Sequence, residues 1–165
     1  MPLGTAKPDR TLAPLRLAAV PYVAASIVMV ANAMHSNRTG ERRLHAAIPA
    51  LLAGIALLLS VTFTHELSVS ILLISIAASG IIGIMPIFWT FAGRLLSGAA
   101  AAAGLAMINS VGSLSGITGA MITNVAKNVT GDVNSGTYVL GGCLLVCCCL
   151  ILSIPRAMVS TTRPD

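Results

Sequence analysis

Five long apolar stretches, at residues 17–34, 46–64, 67–89, 97–123 and 138–154, hold none of the chain's ten Lys and Arg or five Asp and Glu residues. Each approaches the roughly 20 residues with which a helix crosses a ~30 Å hydrocarbon core. One Arg or Asp at the centre of such a helix costs about 2.5–3.5 kcal/mol, so this segregation sorts the chain between lipid and water. The runs show no period-two alternation, so their backbone groups are satisfied within helices and not around a closed barrel. The expected fold class is all-α, a polytopic membrane protein of about five transmembrane helices. A composition of 56% apolar and 9% charged residues, with a mean hydropathy of +0.90, belongs to a chain whose surface cannot all face water.

The polar connections give the topology. His35-Ser36-Asn37-Arg38-Thr39-Gly40-Glu41-Arg42-Arg43 separates the first two stretches and reads as a tight basic turn between antiparallel neighbours. Its three arginines place it on the cytoplasmic side. Alternation then puts His65-Glu66 outside, Gly93-Arg94 inside, the Lys127 to Gly136 loop outside, and the tail with Arg156 and Arg163 inside. Lys7, Arg10 and Arg16 dissent from this scheme, and the majority of loops decides it. The net charge of +5 is thus a topology signal, and no nucleic-acid motif accompanies it. Residues 1–16, with three prolines and no signal-peptide core, read as a disordered lead-in; 17–155 form a helix bundle and 156–165 a cytoplasmic tail. An odd number of spans leads to the expectation that the chain starts mid-protein.

The stretches differ in character. The second is rich in Leu and Ala and is expected to face lipid. The fourth carries Gly98, Gly104, Gly112, Gly116 and Gly119 together with Asn109, Ser110, Ser113 and Ser115, so it should be shielded from lipid. Gly112 and Gly116 form a GxxxG spacing that suits close helix packing or a flexible gating point. Asn109 is either helix glue or a substrate contact, since an amide at membrane depth needs partners. Pro86 can kink the third span beside Phe88 and Trp89. Trp89, the only tryptophan, is either an interfacial anchor or the wall of a binding cavity. Cys143, Cys147, Cys148 and Cys149 read as packing residues, because no histidine stands nearby to complete a metal site. His35, His45 and His65 lie at span ends without a nucleophile and acid around them. No cofactor, metal or catalytic group is expected, and general acid–base chemistry at membrane depth lacks an ionisable side chain.

Pro21-Tyr22-Val23-Ala24-Ala25, Met29 and the run from His35 to His45 resemble the eighth helix and following loop of major facilitator superfamily transporters, in particular the anion:cation symporter branch of organic-acid permeases of the tartrate, phthalate or galactonate type. Pro86-Ile87-Phe88-Trp89, Leu96-Ser97-Gly98, Ala102 to Ser110 and Thr130-Gly131 resemble the tenth and eleventh helices of that branch. The likeness covers roughly residues 20–155 and implies that the five spans correspond to helices 8–12 of a twelve-helix fold. It implies that Trp89, Phe88 and Asn109 line a central substrate cavity, with the second and fifth spans facing lipid. It also implies that Asn37, Arg38, Gly40, Arg42 and Arg43 form a gating loop. An Asp is common in that loop where this chain has Asn37, which removes a charge pair but leaves a side chain able to cap a helix.

The function so implied is proton-coupled uptake of small organic anions across the inner membrane by alternating access, in a multi-pass protein embedded in the lipid bilayer. The missing first half would have to come from elsewhere, with a partner polypeptide as one source, because the carboxylates for proton coupling and the basic group for the anion are not in these spans. The alternative is a non-transporting remnant or small membrane scaffold that packs through its Gly-rich helix.

Overall fold

The computed structural model describes residues 9–95 and 98–155. Five helices follow one another: α1 (Asp9–Thr39), α2 (Arg42–Thr62), α3 (Leu67–Leu95), α4 (Ala99–Thr130) and α5 (Ser135–Ser153). No strand occurs among the described residues. All five are long and apolar enough to cross a membrane, which makes this a multi-pass membrane protein. Residues 1–8 and 156–165, parts of the expected lead-in and tail, lie outside the described residues; 9–16 belong to α1 and are not a disordered lead-in.

The helices run further than the apolar stretches do. His35 to Thr39 are the last residues of α1, and Arg42 already opens α2, so the polar run from 35 to 43 is mostly helical and the turn itself is Gly40-Glu41. Gly40 has φ 68, and its N–H donates to Ser36 O at 3.0 Å, closing α1 in the left-handed conformation that glycine adopts without a Cβ clash. Lys127, expected in a loop, lies in the last turn of α4, which ends at Gly131 with φ 72 and an N–H bond to Lys127 O at 2.9 Å. Polar residues continue a helix past its apolar stretch because backbone bonding does not require an apolar side chain; only the left-handed glycine stops it.

The second helix is the centre of the bundle, with α3 on one side and α5 on the other, while α1 packs on α3. Ala46, Ala47, Ala50, Ala53, Gly54 and Ala56 of α2 are buried. Spacings of three and four residues place much of this set on one side of the helix, where small residues let neighbouring backbones come close. A Cβ added at Gly80 of α3 would meet the Pro49 carbonyl oxygen and come within 2.8 Å of the Ala53 Cβ. A Cβ at Gly54 would lie 3.2 Å from Gly141 O, and one at Gly141 would lie 3.3 Å from Gly54 O. The expectation that the second span faces lipid is therefore corrected. Its Leu51, Leu52, Ile55 and Leu59 are exposed, but its alanine face is the core. Leu and Ala together raise hydropathy without revealing that they lie on different sides of a helix.

In contrast, α4 touches α5 along a limited stretch and α3 only marginally. None of its residues from 100 to 130 is buried. The shielding expected for the fourth span is not supplied by this chain's own helices.

Candidate functional site

The basic turn meets α3 at its proline. Ala33, Ser36 and Asn37 of α1, Arg42 of α2, and Pro86, Ile87 and Thr90 of α3 surround a cavity of about 40 Å³. Proline cannot donate a backbone hydrogen bond to the preceding turn. The Thr90 hydroxyl donates to Pro86 O at 2.6 Å, holding a second polar atom at this point. Ser36 and Arg42 are buried here, so two of the polar residues at this junction are withdrawn from solvent. The cavity has the volume for a water molecule and the polar lining one requires.

The other arginines of the turn have different places. Arg43 donates through its guanidinium to the Leu152 carbonyl at the end of α5, satisfying one of the acceptors that a helix C-terminus leaves open. Arg38 is exposed in the last turn of α1. The His35 and His45 rings face each other across the turn at 4.9 Å between centroids. Asn37 does not cap α2: the N-cap residue is Glu41, which makes no side-chain cap bond. Because α1 continues to Thr39, Asn37 sits inside one helix and not at the start of the next.

Within the same turn of α3, between Pro86 and Thr90, Phe88 and Trp89 pack edge to face, with ring centroids 5.6 Å apart and planes at 73°. Both are partly exposed, Phe88 at 44% and Trp89 at 39%. Asn109 is exposed on α4, and its side chain has no hydrogen-bond partner among the described residues. Its backbone carbonyl accepts from the Ser113 hydroxyl at 2.9 Å. Ser115 and Thr118 likewise return to carbonyls of their own helix, at Gly112 and Leu114. Hydroxyls at membrane depth can satisfy themselves in this way, whereas the Asn109 carboxamide makes no such bond. Nothing lies within 4 Å of a Cβ added at Gly112 or Gly116, so neither glycine packs against this chain. The structure thus joins Asn37 and Arg42 to the Pro86 segment that carries Phe88 and Trp89. It leaves Asn109, Gly112 and Gly116 on a bare face of α4.

Two features escaped the sequence reading. Asn32 of α1 donates to His45 O of α2 at 2.9 Å and to Gly83 O of α3 at 3.0 Å, tying three helices together. The argument applied to Asn109, an amide at membrane depth seeking partners, would have found it. The close α2–α3 and α2–α5 approaches at Gly80, Gly54 and Gly141 carry no GxxxG spacing of their own: Gly80 faces Pro49 and Ala53, while Gly54 and Gly141 lie against each other's backbone and against Leu145 and Leu58.

Comparison with known proteins gives the context. No protein-family model matches the chain, and no solved structure matches it. Over 144 residues it is 33% identical to a provisionally named metabolite transport protein, NicT of Pseudomonas putida, a match covering 87% of this chain and 33% of NicT. Over 139 residues it is 40% identical to a provisionally named tartrate transporter of Agrobacterium vitis, covering 84% of this chain and 31% of that protein. The inner membrane transport protein RhmT of Escherichia coli is 32% identical over 136 residues, covering 82% and 31%. The chain spans about a third of the length of these relatives, each named as a transporter and not as an enzyme. Over most of its length, this chain is a homologue of major facilitator superfamily transporters.

Proposed function

We propose that this chain contributes the helices corresponding to 8–12 of a proton-coupled carrier of small organic anions in the inner membrane, working by alternating access together with further helices from the same or another polypeptide. The observation that carries this reading is the bare face of α4. An amide and a line of glycines at membrane depth, with no described residue against them, suit a helix made to face other helices and a polar path. The tartrate name carried by one relative supports an organic acid as cargo. In this reading Asn109, Trp89 and Phe88 contact the substrate. The turn bearing Asn37, Arg38, Gly40, Arg42 and Arg43 is the cytoplasmic gating loop, acting on the aromatic pair through the Pro86 junction. The carboxylate for proton coupling and the cation for the anion come from the remaining helices.

The test is uptake of radiolabelled tartrate and related organic acids in cells expressing the chain alone, and then with a polypeptide that supplies the missing helices. Uptake on co-expression, abolished by Asn109→Ala and by a protonophore, is the expected result. Absence of uptake with both proteins verified in the membrane contradicts it. The same bare Gly112–Gly116 face favours a second reading, a small membrane scaffold or transporter remnant that pairs through α4. That reading predicts a cross-linked complex without uptake, sensitive to Gly116→Leu.

A further inference from the structure

The ends of α4 and α5 border an open cleft of about 420 Å³ whose polar lining is Thr123, Asn124, Lys127 and Thr137 and whose apolar lining includes Val133 and Leu140. We propose that this cleft binds the phosphate headgroup of an anionic phospholipid, with Lys127 as the cation that reads it. Its depth fits. The apolar part of α4 spans 31 residues, Ala100–Thr130. At about 1.5 Å per residue that is longer than a ~30 Å hydrocarbon core, so the last turns reach the headgroup layer.

Its chemistry fits as well. Lys127 forms no ion pair with any described residue. The nearest acid in the sequence, Asp132, is engaged in the turn, where its Oδ1 accepts the Asn134 N–H at 2.9 Å. The Thr123 hydroxyl spends its one donor on Ala120 O at 3.0 Å, while the Thr137 hydroxyl and the Asn124 amide remain donors for phosphate oxygens. The floor is held by the close approach of Gly136 to Thr123, where an added Cβ would lie 2.9 Å from the Thr123 Cβ. Val133 and Leu140 are exposed beside these groups, and a lysine whose stem lies along apolar surface while its ammonium meets a headgroup is the usual arrangement at this depth. Lys127 also complements the negative end of the α4 dipole. That structural role does not distinguish one lipid from another, so lipid selectivity separates the two.

The experiment is native mass spectrometry of the full purified chain in neutral detergent, titrated with phosphatidylglycerol or phosphatidylcholine. The arginines of the basic turn at the other end also attract anionic lipid, so the difference between wild type and variant is read. The expected result is that Lys127→Gln retains one fewer phosphatidylglycerol per chain and loses about fivefold in apparent affinity at that site, with phosphatidylcholine unaffected. Lys127→Arg should keep the site, and Thr137→Val, which leaves the charge in place, should weaken it. An unchanged phosphatidylglycerol count in Lys127→Gln, or an equal loss of both lipids, overturns the proposal. Displacement of the lipid by an equal concentration of inorganic phosphate overturns it too, assigning the cleft to a free anion.

Discussion

The α2 and α4 helices both carry small residues at helical spacing, yet one is the packed centre of the bundle and the other has no buried residue from 100 to 130. In α2 the small residues Ala46, Ala50, Ala53 and Gly54 are covered by α3 and α5, and the branched residues point away. In α4 the small residues Gly112 and Gly116 are as bare as Leu114 and Ile117. A lipid-soluble helix gains nothing from apolar burial alone, since lipid tails are as apolar as leucine; close packing and hydrogen bonds decide what associates. Small residues therefore mark a surface that can be approached, and only the structure tells whether this chain supplies the approaching helix. For α2 it does, and for the glycine face of α4 it does not.

The sharpest way to break the comparison is to fill both kinds of glycine. Gly80→Leu drives a side chain into the Pro49 carbonyl and the Ala53 Cβ on α2, and should destabilise the bundle by about 3 kcal/mol, the upper range for overpacking. Thermal unfolding in detergent measures it. A Tm equal to wild type would mean that the α2–α3 approach is not close. Next in size is Asn32→Leu, which removes two hydrogen bonds between helices at a cost of about 1 kcal/mol, within the range found for such bonds in membranes. The same unfolding measurement should show a smaller Tm loss than for Gly80→Leu. The smallest effect is expected for Gly116→Leu, within about 0.5 kcal/mol of wild type for the isolated chain, because nothing lies within 4 Å of the new Cβ. A large loss there would place a neighbour on α4 that the chain itself provides.

Much of the architecture was legible in the sequence because membrane insertion is a coarse physical filter. Charge-free runs of sufficient length give the number of helices and their order, as all five spans show. Their ends were not legible, since His35 to Thr39 and Lys127 to Thr130 stay helical while polar and only Gly40 and Gly131 terminate them. Nor was the buried side of α2, because alanine and leucine are both apolar and which of them faces a neighbour depends on the partner's shape. The site was half legible. Pro86, Phe88 and Trp89 are close neighbours in the chain, and the contact of the two rings follows from that, whereas the link from Pro86 to Asn37 and Arg42 depends on how α1, α2 and α3 cross. Asn32 was passed over although it carries the same amide as Asn109, and it, rather than Asn109, is the glue within this chain.

The central claim is that the small polar face of α4 belongs to a solute path while that of α2 belongs to the core. Single cysteines test it directly. In a background with Cys143, Cys147, Cys148 and Cys149 replaced by serine, Ser113→Cys on α4, Ala53→Cys in the core and Leu59→Cys on the exposed side of α2 are each treated in membranes with a water-soluble thiol reagent, with the remaining helices co-expressed. The account predicts rapid labelling of Ser113→Cys, slowed by added tartrate, and none at the other two positions. Labelling of Ser113→Cys as slow as that of Leu59→Cys, with no effect of tartrate, would place α4 against lipid and contradict it.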